Sequence, residues 1–228
     1  MFRKAHQGSE AEHLHDDQFD FSQAFLARER RMLFLRGPLF GAGFGPMSRV
    51  DSFSPTMVGD DILSMNVDDP KAPIYLTIDS PGGDVGAGMI LYDLIRMSRA
   101  PIITIAQNCA SMATVLMAAG HERVMYPHSR VMLHLPKGAF EGDSETFEVR
   151  SKELGRVRDE LVDCYVECGV TANLANKSGR RPAKAKVKAQ IIKDINRSEF
   201  WMTADECVAY GLVDRIAMQA DILGEAKK

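Results

Sequence analysis

The chain has 228 residues, 45% of them hydrophobic and 26% charged, with a formal net charge of −3. It is long enough for one domain with a sizeable core or at most two small ones, and too nearly neutral for a global field to draw it onto nucleic acid or a membrane surface. No apolar run approaches the roughly 20 residues that cross a bilayer, and the polar first 20 residues show no secretory pattern.

In chain order, residues 1–20 read as a disordered or conditionally ordered tail. His6, His13 and His15 lie within it, without the cysteine or helical spacing of a metal site. A short helix is predicted over Ala24–Arg31, then a strand over Arg31–Leu39 that Gly37-Pro38 stops. Residues 40–55, with Gly41, Gly43, Gly45 and Pro46, form a loop, and Thr56–Met65 suits a helix. Pro73–Asp79 is a strand running into Pro81-Gly82-Gly83. A helix over Gly86–Met97 follows, with Met89, Ile90, Leu94 and Ile95 on its apolar side. Ile102–Ala106 is the next strand, Ser111–Ala119 a small apolar helix ended by Gly120, and 124–126 and 131–133 are short strands. This alternation implies an α/β fold with a mostly parallel sheet.

A long amphipathic helix is predicted from Asp143 to Cys168, where Phe147, Leu154, Val157, Leu161, Tyr165 and Cys168 recur at steps of three and four. It serves assembly or packs on its own domain. Residues 177–193 carry Lys177, Arg180, Arg181, Lys184, Lys186, Lys188 and Lys193 with no acid among them. Without interleaved aromatics they read better as a solvated loop or helix than as a nucleic-acid patch. Thr203–Asp214 closes the pattern: Thr203 caps, Glu206 follows three residues on, and Gly211 terminates. Cys109, Cys164, Cys168 and Cys207 are scattered through apparent core and helix, as in a reduced intracellular protein.

Three segments carry chemistry. Ser111 opens an apolar helix, where a serine is ordinarily an N-cap; as an attacking group it would have the Met112 N–H beside it to receive an oxyanion. Gly82-Gly83 after a strand is ordinarily a turn, but glycine also admits a substrate backbone, and the Gly83 N–H could be a second donor. His134 follows an alternating strand that would hold it firmly as a general base, whereas His121 and His128 look like loop residues. An acid to orient the imidazole is open between Asp194 and Glu199.

Six blocks in order, from Phe34–Pro38 through Ile78–Gly83, Ala110–Ala113, Pro127–Pro136 and Met202–Ala204 to Tyr210–Asp214, resemble the ClpP family, the proteolytic subunits of the Clp protease. The resemblance covers roughly residues 30–216 and implies an α/β fold of ClpP/crotonase type, a spiral of βαβ units with the long helix protruding as a handle. It implies Ser111 as nucleophile, His134 as general base, and Gly83 and Met112 as oxyanion donors. The family's acid falls just before the aromatic of the last block. Counting back from Tyr210–Asp214 without gaps places Glu199 there, and Asp194 matches only with an insertion.

The further implications are a serine endopeptidase without cofactor or metal, a homo-oligomer of stacked heptameric rings (a tetradecamer), and a cytoplasmic location. Its partners would be an AAA+ ATP-dependent unfoldase ring and unfolded polypeptide substrates, with no membrane or nucleic acid. The expected layout is a flexible segment at 1–29, a protease domain at 30–218 and a tail at 219–228. This chain departs from the family pattern in its Gly-rich loop at 40–48, in Leu135, in Gln107-Asn108-Cys109, and in the longer basic segment before Glu199. The rival readings are an inactive or partner-dependent paralogue, a crotonase-fold acyl-CoA enzyme, and a nucleic-acid module using 177–193.

Overall fold

The computed structural model describes residues 27–39, 55–138, 141–174, 181–196 and 198–218. The expectations for 1–20, 40–48 and the 219–228 tail, and for Lys177 and Arg180, lie outside the described residues. Of the predicted Ala24–Arg31 helix, the described part is a helical turn at 27–29.

Among the described residues seven strands form one sheet: β1 (Met32–Arg36), β2 (Ile74–Ser80), β3 (Ile102–Ala110), β4 (Glu122–Met125), β5 (Val131–Leu133), β6 (Phe200–Met202) and β7 (Arg215–Ile216). The main path runs β1-β2-β3-β4-β7, all parallel. Six longer helices lie among the described residues: α1 (Pro55–Asp68), α2 (Val85–Met97), α3 (Met112–Ala118), α4 (Ser144–Glu167), α5 (Lys184–Ile195) and α6 (Ala204–Tyr210). β2 and β3 are buried along most of their length because helices cover the parallel sheet. Every residue of α3 is buried, as its all-round apolar sequence requires.

Two departures from the predicted strands shape the site. β3 does not stop at Ala106. Its last residues pair with a second partner, Cys109 with Val131 and Ala110 with Met132, and its register against β2 shifts between Ile78 and Ser80. The Gln107-Asn108 interruption thus marks the place where one long strand leaves β4 and joins β5. The sequence pattern also missed β6, which pairs antiparallel to β5, Val131 with Met202 and Leu133 with Phe200.

α2 starts at Asp84, whose carboxylate accepts from the Ala87 N–H at 2.7 Å. Its buried face is Gly88, Leu91, Tyr92 and Ile95. Ile90, predicted inside, is 67% exposed, because the residues packed on α3 and the sheet lie on the other side of the helix. α4 begins at the predicted Asp143, which caps Thr146 at 2.8 Å. Its first half stands clear of the core, with Phe147 49% and Val149 66% exposed, and only Val162, Cys164 and Tyr165 near its end are buried. From Lys184 on, the basic segment is the amphipathic helix α5. Val187, Ile191 and Ile195 are its buried face, and Lys188 reaches Asp163 of α4 at 2.8 Å.

The closing segment has the predicted capping box between Thr203 and Glu206 and a left-handed Gly211. A buried Arg123 on β4 ties it down. Its guanidinium forks onto Asp214 and also donates to the carbonyls of Cys168 and Gly211.

Candidate active site

The end of β3 makes an abrupt corner into α3, and Ser111 is the corner. Its backbone sits at φ 56°, ψ −128°, a region that L residues avoid at a cost of about 1–3 kcal/mol. Main-chain bonds hold it there. The Ser111 N–H donates to Met132 O of β5 at 2.8 Å, and its carbonyl accepts from the Thr114 N–H at 3.0 Å and the Thr114 hydroxyl at 2.6 Å. The same hydroxyl is hydrogen-bonded to the buried Tyr165 phenol of α4. The serine side chain does not cap the helix. Freed from that role, its Oγ lies 2.7 Å from His134 Nε2.

His134 comes from the residue after β5, the strand that also receives the Ser111 N–H. The pairing of β3 with β5 is therefore what brings two residues 23 apart in sequence into contact. Burial holds the imidazole pKa below its ordinary 6.5. The positive charge of Lys137 pushes it the same way, and the negative charge of Glu199 opposes both. The ring is thus neutral at neutral pH, the form able to take a proton from a hydroxyl. Its other nitrogen, Nδ1, is buried and has no partner among the described residues.

The glycine turn meets the serine corner directly. A Cβ on Gly82 would stand 2.6 Å from Ala110 O, 2.8 Å from Ser111 Cβ and 2.9 Å from Met112 N, and Gly82 has φ +85°. The following residue is clamped by Leu39, whose N–H donates to Gly82 O and whose carbonyl accepts from Asp84 N–H. Neither the Gly83 nor the Met112 N–H has an acceptor among the described residues. Gly83, Ser111 and Met112 line one cavity, so two free main-chain donors border the serine's pocket, an arrangement that can receive an oxyanion. Gly82→Ala should lower kcat for peptide hydrolysis by roughly 100-fold or more while the far-ultraviolet circular dichroism stays unchanged. Wild-type turnover would show that this close approach does not matter.

The two candidate acids have different surroundings. Both oxygens of Asp194, in the last turn of α5, are taken: Oδ1 accepts from Gln190 at 2.7 Å and Oδ2 from the buried Tyr210 phenol at 2.8 Å. Glu199 is exposed, and its Oε2 accepts from the Trp201 indole N–H at 3.0 Å. The β5–β6 register pairs Leu133 with Phe200, so one further step sets Glu199 across from His134, where its charge acts on the imidazole. Of the other histidines, His121 Nδ1 accepts from the Ile102 N–H and His128 is exposed. The Ser111–His134 pair opens on a cavity of about 330 Å³. Val115, Leu161, Val162 and Ile195 make its wall apolar, and Lys137 and Arg158 supply positive charge.

A serine bonded to a neutral imidazole, at a strand-to-helix corner between free main-chain donors, defines a serine-type hydrolase on a parallel α/β frame. Residues 47–220 match the family model described as Clp protease. The chain is also 33% identical over 172 residues to the ATP-dependent Clp protease proteolytic subunit of Porphyromonas gingivalis (strain ATCC BAA-308 / W83), covering 74% of this chain and 70% of that protein. The chain belongs to the Clp protease family and is a ClpP-like serine peptidase.

Arg123, Thr114 and Trp201 were not singled out from sequence. The signal available for Trp201 was its spacing of two from Glu199, which in a strand puts both on one face.

Proposed function

We propose that this chain is the proteolytic subunit of a compartmental protease, cutting unfolded polypeptides in the cytoplasm with Ser111 as nucleophile. The observation that carries this is the 2.7 Å contact between Ser111 Oγ and His134 Nε2 in the lining of the cavity. His134 takes the hydroxyl proton as Oγ attacks the scissile carbonyl, and the Gly83 and Met112 N–H groups receive the oxyanion. The imidazolium then gives its proton to the leaving amine, and water hydrolyses the Ser111 ester by the same route. Glu199 is the acid that orients His134. Asp194 holds Tyr210 instead. The apolar wall suits an apolar substrate side chain.

A single peptidase domain over 30–218 performs this chemistry, and an AAA+ ring supplies unfolded chains. Two heptameric rings enclose the site, interlocked by the projecting half of α4. Its exposed Phe147 and Val149 favour that role, since apolar side chains on a half-helix clear of the core call for a partner surface. Phe147→Asp with Val149→Asp should convert a two-ring assembly to smaller species on size-exclusion chromatography; an unchanged elution volume would contradict the handle role. The catalytic reading is tested by hydrolysis of a short fluorogenic peptide with an apolar residue before the scissile bond. Turnover that disappears on fluorophosphonate treatment is expected. Turnover that survives complete modification would contradict it.

A further inference from the structure

We propose that Trp201 is a positioning residue that governs the triad acid: its indole N–H holds the Glu199 carboxylate away from His134 and competes with the His134 Nδ1–H for it. The inference rests on the reading of Ser111, His134 and Glu199 given above. Two observations and one chemical requirement carry it. His134 is bonded at Nε2, but its buried Nδ1 has no partner among the described residues, which native interiors rarely leave so. In the tautomer that lets Nε2 accept the serine proton, Nδ1 carries hydrogen and needs an acceptor. The carboxylate closest in register, Glu199, spends Oε2 on Trp201 at 3.0 Å.

The strand supplies the geometry. Glu199 and Trp201 are two apart at the start of β6, so their side chains leave the same face. Tryptophan has one donor and no acceptor, and Trp201 is 54% exposed. Its bond to Glu199 is therefore an exposed contact that a carboxylate can leave for a buried donor. Seated on Trp201, the Glu199 carboxylate makes no bond to His134 Nδ1, and turning it to that nitrogen completes the triad. The other charged group acting on the imidazole is Lys137 on its own segment, Ser111 is bonded to it, and Arg158 and Tyr165 of α4 line the same cavity.

Trp201→Phe keeps the ring and removes the donor. It should raise kcat for a short peptide roughly five-fold, the effect of removing one competing hydrogen bond, with KM unchanged. The acid limb of kcat/KM should move to higher pH, because a carboxylate bonded at Nδ1 stabilises the imidazolium. Phosphonylation of Ser111 by a fluorophosphonate, read by intact mass, should quicken in parallel. Trp201→Leu, which also lacks the donor, should behave alike, and adding Glu199→Gln should erase the gain. Equal labelling rates and an unmoved acid limb in both Trp201 variants would overturn the proposal, as would a gain that survives Glu199→Gln. Absence of labelling in wild type and variants alike would instead overturn the serine-peptidase site on which it rests.

Discussion

Replacing Ser111 with alanine should lower peptide hydrolysis by about 10⁴-fold or more without disturbing the fold. The hydroxyl makes one hydrogen bond, to His134, while the bonds that hold the corner, to Met132 O and from Thr114, belong to the main chain of residue 111. Alanine inherits those bonds and the φ of 56°, so the variant should keep the wild-type melting temperature within a few degrees and the same oligomer on size-exclusion chromatography. Turnover near that of the wild type would remove Ser111 from the chemistry.

Glu199→Gln should separate cleanly from Asp194→Asn. Loss of the carboxylate proposed to fix the imidazole tautomer is expected to lower kcat by up to about 10⁴-fold. The residual activity should also titrate differently. Glu199 raises the His134 pKa against burial and Lys137, so its removal drops that pKa further and moves the acid limb of kcat/KM to lower pH. Asp194→Asn keeps an acceptor for the Tyr210 phenol but loses its charge. That change should weaken a charge-assisted bond at a cost of about 1–2 kcal/mol of stability, seen as a lower melting temperature, with kcat nearly unchanged. The reverse pattern would make Asp194 the acid.

The readable parts of this chain are those set by local rules. The Asp143 cap, the Thr203–Glu206 box and Gly211 each lie where short-range chemistry puts them. Ser111, Gly83 and His134 stood out because each follows a strand, and strand ends in a parallel sheet converge on one edge. Their 2.7 Å contact depends on the Cys109–Val131 and Ala110–Met132 pairs, which no local pattern announces after the polar Gln107-Asn108. The acid stayed ambiguous for a similar reason. Asp194 and Glu199 are five residues apart with a helix end between them. The antiparallel register of the three-residue β6 extends to set Glu199 across from His134, with its carboxylate on Trp201, while Asp194 is left on Tyr210. Tyr165 read from its spacing as one more apolar residue of the long helix. Its hydroxyl in fact braces Thr114, and through it the Ser111 carbonyl, so the C-terminal part of α4 and the serine corner share one hydrogen-bonded chain.

The central claim, an activated serine at residue 111, is tested most directly by treating the purified protein with a fluorophosphonate, wild type beside Ser111→Ala, and reading intact mass. One adduct on the wild type and none on the variant is the predicted result. An unmodified wild type, or an adduct that persists in Ser111→Ala, would contradict it.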